Sequence, residues 1–221
     1  MPSSTVENYT KNIYLLAQSN EQVVVPMGEV ARAMGVVPGT ATAMIKTLDK
    51  EGLAVHEPRS GVRLTDEGEQ LALRMLRRHR LIEYFLVETL KMDWTEIHEE
   101  AEALEHAVSD RMLDQLDNFL GMPRFDPHGD PIPTAEGKMH DRRVTLLADL
   151  TIGKTGKVAR VADQQAAFLD FVGQHQLFPG VAIEVKSCDP TAGILVIDVK
   201  GNHEVTLSMA VAAKIWIEDV S

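Results

Sequence analysis

The stretch MGEVARAMGVVPGTATAMIKTLDKEG, residues 27–52, decides the fold of the N-terminal part of the chain. Pro26 suits the start of a helix and Gly35 suits its end, so a first short helix is predicted over 27–35. A second helix is predicted over 38–51, because apolar residues recur there at helical spacing. The residues expected to face inward are Ala41, Met44, Ile45 and Leu48. Two short helices joined by a tight turn are typical of a helix-turn-helix.

The flanking residues extend this motif to a winged helix. Residues 3–19 predict a preceding helix, capped by one of the hydroxyl residues at its start. Residues 53–64 hold two short extended runs around a turn at 58–61, which predicts a β-hairpin, the wing. Thr65 is predicted to cap the next helix.

A winged helix commonly places its second helix in the major groove of duplex DNA. The predicted contact surface begins at Pro38 and Gly39 and continues through small hydroxyl residues and a lysine. It comprises Thr40, Thr42 and Lys46 on the helix, with Arg59 and Arg63 on the wing. The alternative is a protein-interaction module, which the nearly balanced charge of residues 1–80 leaves open.

The middle of the chain predicts a helical dimerisation and metal-binding domain. Helices are predicted over 66–91, 95–108 and 109–119, with more apolar residues than a winged helix needs. Paired recognition of DNA half-sites requires a two-fold dimer, so we expect a homodimer. Residues 81–150 hold 16 Asp and Glu against 6 Lys and Arg, an excess that bound cations would relieve. Residues 121–137 are rich in Pro and Gly and predict irregular structure.

The C-terminal part predicts a small β-barrel of the SH3-like kind. Short β-like runs at 158–161, 182–186, 194–199, 204–207 and 214–217 are separated by turn residues, with helical signals only at 163–173 and 208–213. The fold class is therefore α+β. The predicted boundaries are 1–70 for the winged helix, 71–140 for the helical domain, 141–151 for a linker and 152–221 for the barrel.

The stretch HEEAEALEH, residues 98–106, carries the predicted metal chemistry. In a helix, its two imidazoles and two of its carboxylates share one narrow face; these are His98, Glu102, Glu105 and His106. His79 and Glu83 form a second pair four residues apart. A mixed set of imidazole and carboxylate suits Mn²⁺ or Fe²⁺, and also Co²⁺, Ni²⁺ or Zn²⁺. The alternative is a solvated acidic face, and the remaining histidines, at 56, 128, 140, 175 and 203, are predicted to be ordinary surface or satisfied residues.

Several function classes are not supported by the sequence. Cys188 is the only cysteine, so intrachain disulfides are excluded and a cytoplasmic location is expected. No apolar run reaches the roughly 20 residues that a membrane span needs, and no signal peptide is recognised. A metal-dependent hydrolase is the enzyme alternative. The chain has no phosphate-binding glycine loop and no His-Glu-x-x-His motif, so we predict that it is not an enzyme and takes no small-molecule substrate beyond a metal ion.

Taken together, these motifs resemble the diphtheria toxin repressor family, which includes iron- and manganese-dependent repressors. The resemblance covers nearly the whole chain. It rests on Tyr9-x3-Ile13-Tyr14, Glu51-Gly-Leu53, Leu64-Thr-x-x-Gly68, Arg78-His-Arg-Leu81, the stretch 98–106 followed by Ser109-Asp110, and Pro127-His-Gly-Asp-Pro-Ile-Pro133. It implies a homodimeric repressor of metal-uptake genes that binds operator DNA when Mn²⁺ or Fe²⁺ is present.

The resemblance also implies two metal sites. The activating site maps to Asn8, Glu102, Glu105 and His106. The ancillary site maps to His79, Glu83 and His98, completed by either Asp163 or Gln165 of the third domain. The family's first-helix ligand is usually Met or Asp where this chain has Asn8, and the iron-type members often have Cys at the position of Glu102.

Two further positions depart from the family pattern. The two-metal arrangement of the short manganese regulators uses a Glu at the position of Lys11. Ala43 stands where relatives can carry a longer polar side chain, so direct base readout is expected to be sparse. A transcriptional activator and a winged-helix adaptor that binds protein without metal-gated DNA binding are the remaining alternatives.

Overall fold

The computed structural model describes residues 2–219, which divide into two compact units. The first unit comprises residues 2–79, 105–108 and 133–138, and the second comprises residues 80–104, 109–132 and 139–219. No helix within residues 2–219 is long and apolar enough to cross a membrane.

The first unit contains the winged helix. Helices α1 (Ser4–Ser19), α2 (Met27–Ala33) and α3 (Pro38–Lys50) precede the strands β1 (Ala54–Glu57) and β2 (Gly61–Leu64). The Ser3 hydroxyl caps α1 by accepting a hydrogen bond from the Val6 amide. The three helices and the hairpin enclose one apolar core that includes Tyr9, Ile13, Val30, Ile45 and Leu48. The predicted helix-turn-helix and wing are confirmed.

The wing is a short antiparallel hairpin. Ala54 pairs with Leu64 and Glu57 pairs with Gly61. Arg59 lies in the turn with φ of 70°, a left-handed conformation that costs energy in a residue with a side chain. This conformation holds Arg59 at the exposed tip of the wing.

Three helices follow the wing; the first two end three residues earlier than the sequence predicts, and the third ends where it is predicted to end. They are α4 (Asp66–Glu88), α5 (Ile97–Glu105) and α6 (Asp110–Phe119). The predicted spans were 66–91, 95–108 and 109–119, so the differences are confined to the helix ends, where backbone groups find other partners than those inside the helix.

The Pro- and Gly-rich segment that follows α6 is held by arginines of α4. Arg77 donates a hydrogen bond to the Pro133 carbonyl, and Arg80 donates one to the Pro131 carbonyl. Apart from one isolated bridge between Phe125 and Pro131, residues 121–137 have no regular structure, as predicted.

The C-terminal part of the second unit is a six-stranded antiparallel sheet in the order β3-β8-β4-β5-β6-β7. Its elements are β3 (Thr145–Leu146), a 3-10 turn (Leu147–Asp149), β4 (Thr155–Val161), α7 (Ala166–Gln174), β5 (Ala182–Asp189), β6 (Ile194–Val199), β7 (His203–Ser208), α8 (Met209–Ala212) and β8 (Ile215–Asp219). Alternate residues of the strands point into a core of Val, Ile and Leu side chains. The predicted SH3-like domain is confirmed.

The segment 141–151, which the sequence predicts as a linker, contains β3. Thr145 pairs with Ile217 and Leu146 pairs with Trp216. Part of this segment therefore belongs to the sheet, while the domain boundaries themselves stay a prediction.

Candidate metal centre

The first unit brings a group of ionisable side chains together at α1. We call this group, made of Glu7, Lys11, His79, Glu105 and His106, the Glu105 cluster. Glu7 and Lys11 lie one turn apart on α1 and both are buried. Because α1 is amphipathic and its inward face must cover the segment 105–108, these two side chains meet residues nearly 100 positions later in the chain.

Glu105 is the centre of the cluster, and its side chain is 0% exposed. Its Oε1 atom lies 2.6 Å from Lys11 Nζ, and its Oε2 atom lies 2.7 Å from His79 Nδ1. Burial by itself raises the pKa of Glu105, but the hydrogen bond from His79 and the charges of Lys11 and His79 outweigh burial and hold this pKa below its ordinary value. Glu105 is therefore a carboxylate that keeps its negative charge inside the protein.

His106 presents an open nitrogen to Glu105. Its Nδ1 atom lies 2.7 Å from Glu7 Oε2. A carboxylate accepts hydrogen bonds, so in the neutral form of the imidazole Nδ1 carries the proton and Nε2 carries a lone pair. This Nε2 atom lies 3.6 Å from Glu105 Oε1 and is buried without a hydrogen-bond partner among the described residues. An imidazole oriented by a carboxylate in this way is a typical metal ligand.

Asn8 adds a second orphaned atom in the same unit. Its side-chain oxygen is buried and has no hydrogen-bond partner within residues 2–219. A buried polar atom of this kind costs free energy unless a ligand satisfies it. The open nitrogen of His106 beside the ionised Glu105, and the unsatisfied oxygen of Asn8 in the same unit, are of the types that suit a divalent cation with oxygen and nitrogen ligands.

Glu102 lies on α5, about one helical turn before Glu105. Its side chain is 34% exposed, and one of its oxygens lies 4.0 Å from His98 Nε2. The structure thus places Glu102 near a residue of the predicted ancillary site, and its membership of the activating site stays a prediction.

The second unit brings together part of the predicted ancillary site. His98 Nδ1 lies 3.6 Å from Glu83 Oε1. His98 also lines an open cleft with Asp163 and Gln165, the two residues proposed to complete the site. Asp163 already accepts a hydrogen bond of 2.6 Å from Lys214, which holds its pKa below the ordinary value in spite of burial. Gln165 is the N-cap residue of α7.

A third group of possible ligands was not predicted from the sequence. Glu83, Asp126 and His128 are all buried and offer ligand atoms within 4.8 Å of one another. His128 Nε2 lies 3.3 Å from the Trp94 carbonyl, and its Nδ1 atom is buried without a hydrogen-bond partner among the described residues. His128 was predicted to be an ordinary surface or satisfied histidine. The motif at 127–133 contains His128 and directly follows Asp126, and this is the sequence signal that could have identified the group.

Within the Glu105 cluster, the contacts of Glu7 and Lys11 were not predicted from the sequence. His79 was predicted to belong only with Glu83 and His98, whereas it hydrogen-bonds Glu105. The i, i+4 spacing of Glu7 and Lys11 on an amphipathic helix was visible in the sequence. Their partners were not visible, because helical periodicity shows which face is buried and not which distant residues cover it.

The residues predicted to contact DNA lie on one helix and the wing. Side chains on α3 at Thr40, Ala43 and Lys46 are exposed, as are Pro38 and Gly39 at its start. The Thr42 side chain is half-buried, and its hydroxyl donates a hydrogen bond of 2.8 Å to the Pro38 carbonyl. On the wing, Arg59 is exposed, while Arg63 is 3.2 Å from Glu57 Oε1. The exposed positions remain available for a partner.

Three protein-family models match the chain, and together they cover most of it. The N-terminal DNA-binding domain of iron-dependent repressors matches residues 1–62. The metal-binding and dimerisation domain of iron-dependent repressors matches residues 65–134, and the FeoA domain matches residues 145–219.

Individual repressors and regulators are similar to this chain over part or nearly all of its length. The iron-dependent repressor IdeR of Mycobacterium bovis is 26% identical, over 98% of this chain and 97% of the relative. The regulator MntR of Lysinibacillus sphaericus is 32% identical over 58% of this chain and 89% of the relative. Among solved structures, a manganese-dependent transcriptional repressor in complex with manganese is 36% identical with a TM-score of 0.86, covering 97% of this chain and 100% of that one. The repressor ScaR with bound Cd²⁺ is 33% identical with a TM-score of 0.79, covering 99% and 100%.

Proposed function

Because this chain belongs to the diphtheria toxin repressor family of metal-dependent transcriptional regulators, we propose that it binds operator DNA when Mn²⁺ or Fe²⁺ is bound and so represses genes for metal uptake. The observation that carries this proposal is the pair of open buried ligand atoms, Asn8 Oδ1 and His106 Nε2, in the unit that contains the winged helix. A metal-binding centre built into a DNA-binding module is what a metalloregulator requires.

The residues that would hold the activating metal are Asn8, Glu105 and His106, with Glu102 one turn earlier on α5. These residues offer oxygen and imidazole nitrogen and no sulfur, which favours Mn²⁺ or Fe²⁺ over a structural zinc. Manganese-dependent repressors among the solved structures that this chain resembles support Mn²⁺ as the first candidate. His79, Glu83 and His98, with Asp163 or Gln165, form the proposed ancillary site.

The way in which metal affects DNA binding follows from where the ligands lie. Asn8 is on the first helix of the winged helix, and Glu105 and His106 stand at the end of α5. A divalent cation supplies the positive charge that lets these oxygen and nitrogen atoms stay close together. The residues themselves then hold α1 against the segment 105–108. We infer a population shift toward one arrangement of this unit, the arrangement that fits DNA.

Operator binding is proposed to use α3 and the wing, and the protein is proposed to act as a homodimer. On α6, Met112 and Phe119 are large apolar side chains that are 60% and 71% exposed. They lie seven residues apart and so on the same side of the helix. Such a surface is typical of an interface, and it supports a second copy of the chain as partner.

The decisive experiment is a gel shift on the protein's own promoter region, with chelator, Mn²⁺, Fe²⁺ or Zn²⁺ in parallel lanes. We expect retardation of the DNA with Mn²⁺ or Fe²⁺ and much weaker retardation with chelator. Transcription from the same promoter in a purified system should then fall when metal is added. Equal DNA binding in chelator and in metal would contradict the proposal and favour the protein-binding adaptor, and a rise in transcription would identify an activator.

The wing contact can be tested separately. Arg59→Ala removes an exposed charge that is proposed to face the DNA backbone, so we expect affinity to fall about tenfold and the salt dependence of binding to become shallower by roughly one phosphate contact. Lys200→Ala is the matched control, because it removes the same charge from an exposed turn of the second unit. Fluorescence anisotropy at several salt concentrations measures both quantities. An unchanged salt slope for Arg59→Ala would exclude the phosphate contact.

A further inference from the structure

A lysine ammonium already occupies part of the centre in which the metal is proposed to bind. Lys11 Nζ lies 2.6 Å from Glu105 Oε1, and the two side chains are 4% and 0% exposed. This is a short ion pair with almost no access to water. An ion pair of this kind is weakly screened, and losing either partner leaves an uncompensated buried charge.

The ammonium stands at the oxygen that a metal would need. Glu105 Oε1, the atom bonded to Lys11, is also the atom that lies 3.6 Å from the open Nε2 of His106. The other oxygen of Glu105 is bonded to His79. A cation shared by Glu105 and His106 therefore approaches the same oxygen as Lys11 and meets its positive charge at short range.

We propose that Lys11 is a built-in competitor of the metal, whose ammonium balances the charge of Glu105 in the metal-free protein and so weakens metal binding at this centre. The inference rests on the proposed function of the centre as the activating site. Metal binding requires the Lys11 side chain to move off Glu105 Oε1, because two cations sharing one carboxylate oxygen repel each other. The strength of the Lys11–Glu105 pair then sets the metal concentration at which the regulator responds.

A purely structural role for Lys11 makes a different prediction. If the ion pair only held α1 against the segment 105–108, its loss would loosen the centre, and metal affinity would stay the same or fall. If Lys11 competes with the metal, its loss raises metal affinity even though the metal-free protein becomes less stable. The direction of the change in affinity separates the two roles.

The test is metal binding by Lys11→Met, measured by isothermal titration calorimetry with Mn²⁺ on the full chain. Met keeps the length and apolar stem of lysine and removes the charge. We expect the Kd for Mn²⁺ to fall at least about tenfold, in the range known for the coupling of close charge pairs. The melting temperature of the metal-free variant should fall, and the rise on adding Mn²⁺ should exceed that of the unchanged protein.

Two further variants serve as controls. Lys11→Arg keeps a positive charge at the position. Its Kd for Mn²⁺ should stay within about threefold of the Kd of the unchanged protein, well short of the tenfold change expected for Lys11→Met. Lys50→Met removes a lysine that is exposed at the end of α3 and should leave the Kd unchanged. If Lys11→Met does not fold, Lys11→Gln provides the same loss of charge with a polar side chain.

The outcomes distinguish this inference from the proposed function. If the unchanged protein binds Mn²⁺ and Lys11→Met binds it equally or more weakly, Lys11 is structural and the metalloregulator proposal stands. If neither protein binds Mn²⁺ or Fe²⁺, the centre itself is wrong and both proposals fall. Tighter binding by Lys11→Met together with unchanged binding by Lys50→Met supports the competitor role.

Discussion

His106→Ala is expected to abolish the metal response, and the affinity for operator DNA in saturating Mn²⁺ should fall at least about 100-fold. Losing a residue that only orients a metal ligand already lowers metal affinity or activity about 10- to 100-fold, and His106 is proposed to be a ligand itself. The substitution removes the open Nε2 atom and leaves Glu7 Oε2 without the ring that it orients. The gel shift with increasing Mn²⁺ measures the effect. Binding in chelator should be the same for the variant and the unchanged protein.

The control for His106→Ala is His140→Ala, which removes a histidine outside the regular elements and outside every proposed ligand set. It should leave the metal response unchanged. Circular dichroism should show that both variants keep the native helix content. A full metal response in His106→Ala would mean that the activating site is placed wrongly, while the winged helix and the family membership would be unaffected.

The proposed link between the Glu105 cluster and DNA binding rests on the packing of α1. Its residues come from α1, α4 and the end of α5, and α1 is packed in the same core as the recognition helix α3. A closely packed core transmits a change at one helix to its neighbours, since it has few voids to absorb the change. Fixing α1 therefore restricts the winged helix as a whole.

The helices and the winged helix could be predicted from the sequence because their signals are local. Apolar spacing, Pro26 before α2 and the capping residue Thr65 each act within one or two turns of chain. The two-residue strand β3 could not be predicted in this way. It exists only because Thr145 and Leu146 pair with β8 about 70 residues later.

The sequence predicted which residues belong to the candidate site better than it predicted which of them contact one another. Glu105 and His106 followed from helical spacing, and their family role followed from the resemblance. That Lys11 meets Glu105, and that Glu7 meets His106, depends on tertiary packing between segments with no local relation. His128 was predicted to be an ordinary histidine because it stands outside the pattern of His and Glu pairs four residues apart, yet folding brings it to Glu83.

Gly68→Ala is expected to lower the free energy of unfolding of the winged helix by about 2–4 kcal/mol, because a well-packed backbone has no room for the added carbon. Gly68 lies in the first turn of α4, and a Cβ atom there would overlap the carbonyl group of Leu53. This carbonyl also accepts the hydrogen bond from the Thr65 amide that fixes the start of α4. The helix would have to shift away from the wing, which breaks this bond and exposes apolar surface beside the hairpin.

Gly28→Ala is the matched control, because nothing lies within 4 Å of a Cβ atom at Gly28 and it is a helical residue of α2. Its stability should be unchanged or higher by up to about 1 kcal/mol, since alanine favours helix over glycine. Urea unfolding followed by circular dichroism measures both variants. Operator binding by Gly68→Ala should fail at temperatures at which Gly28→Ala still binds, since the recognition helix and wing belong to the destabilised unit. Equal stability of the two variants would show that the close approach of Gly68 to Leu53 is not part of the native fold.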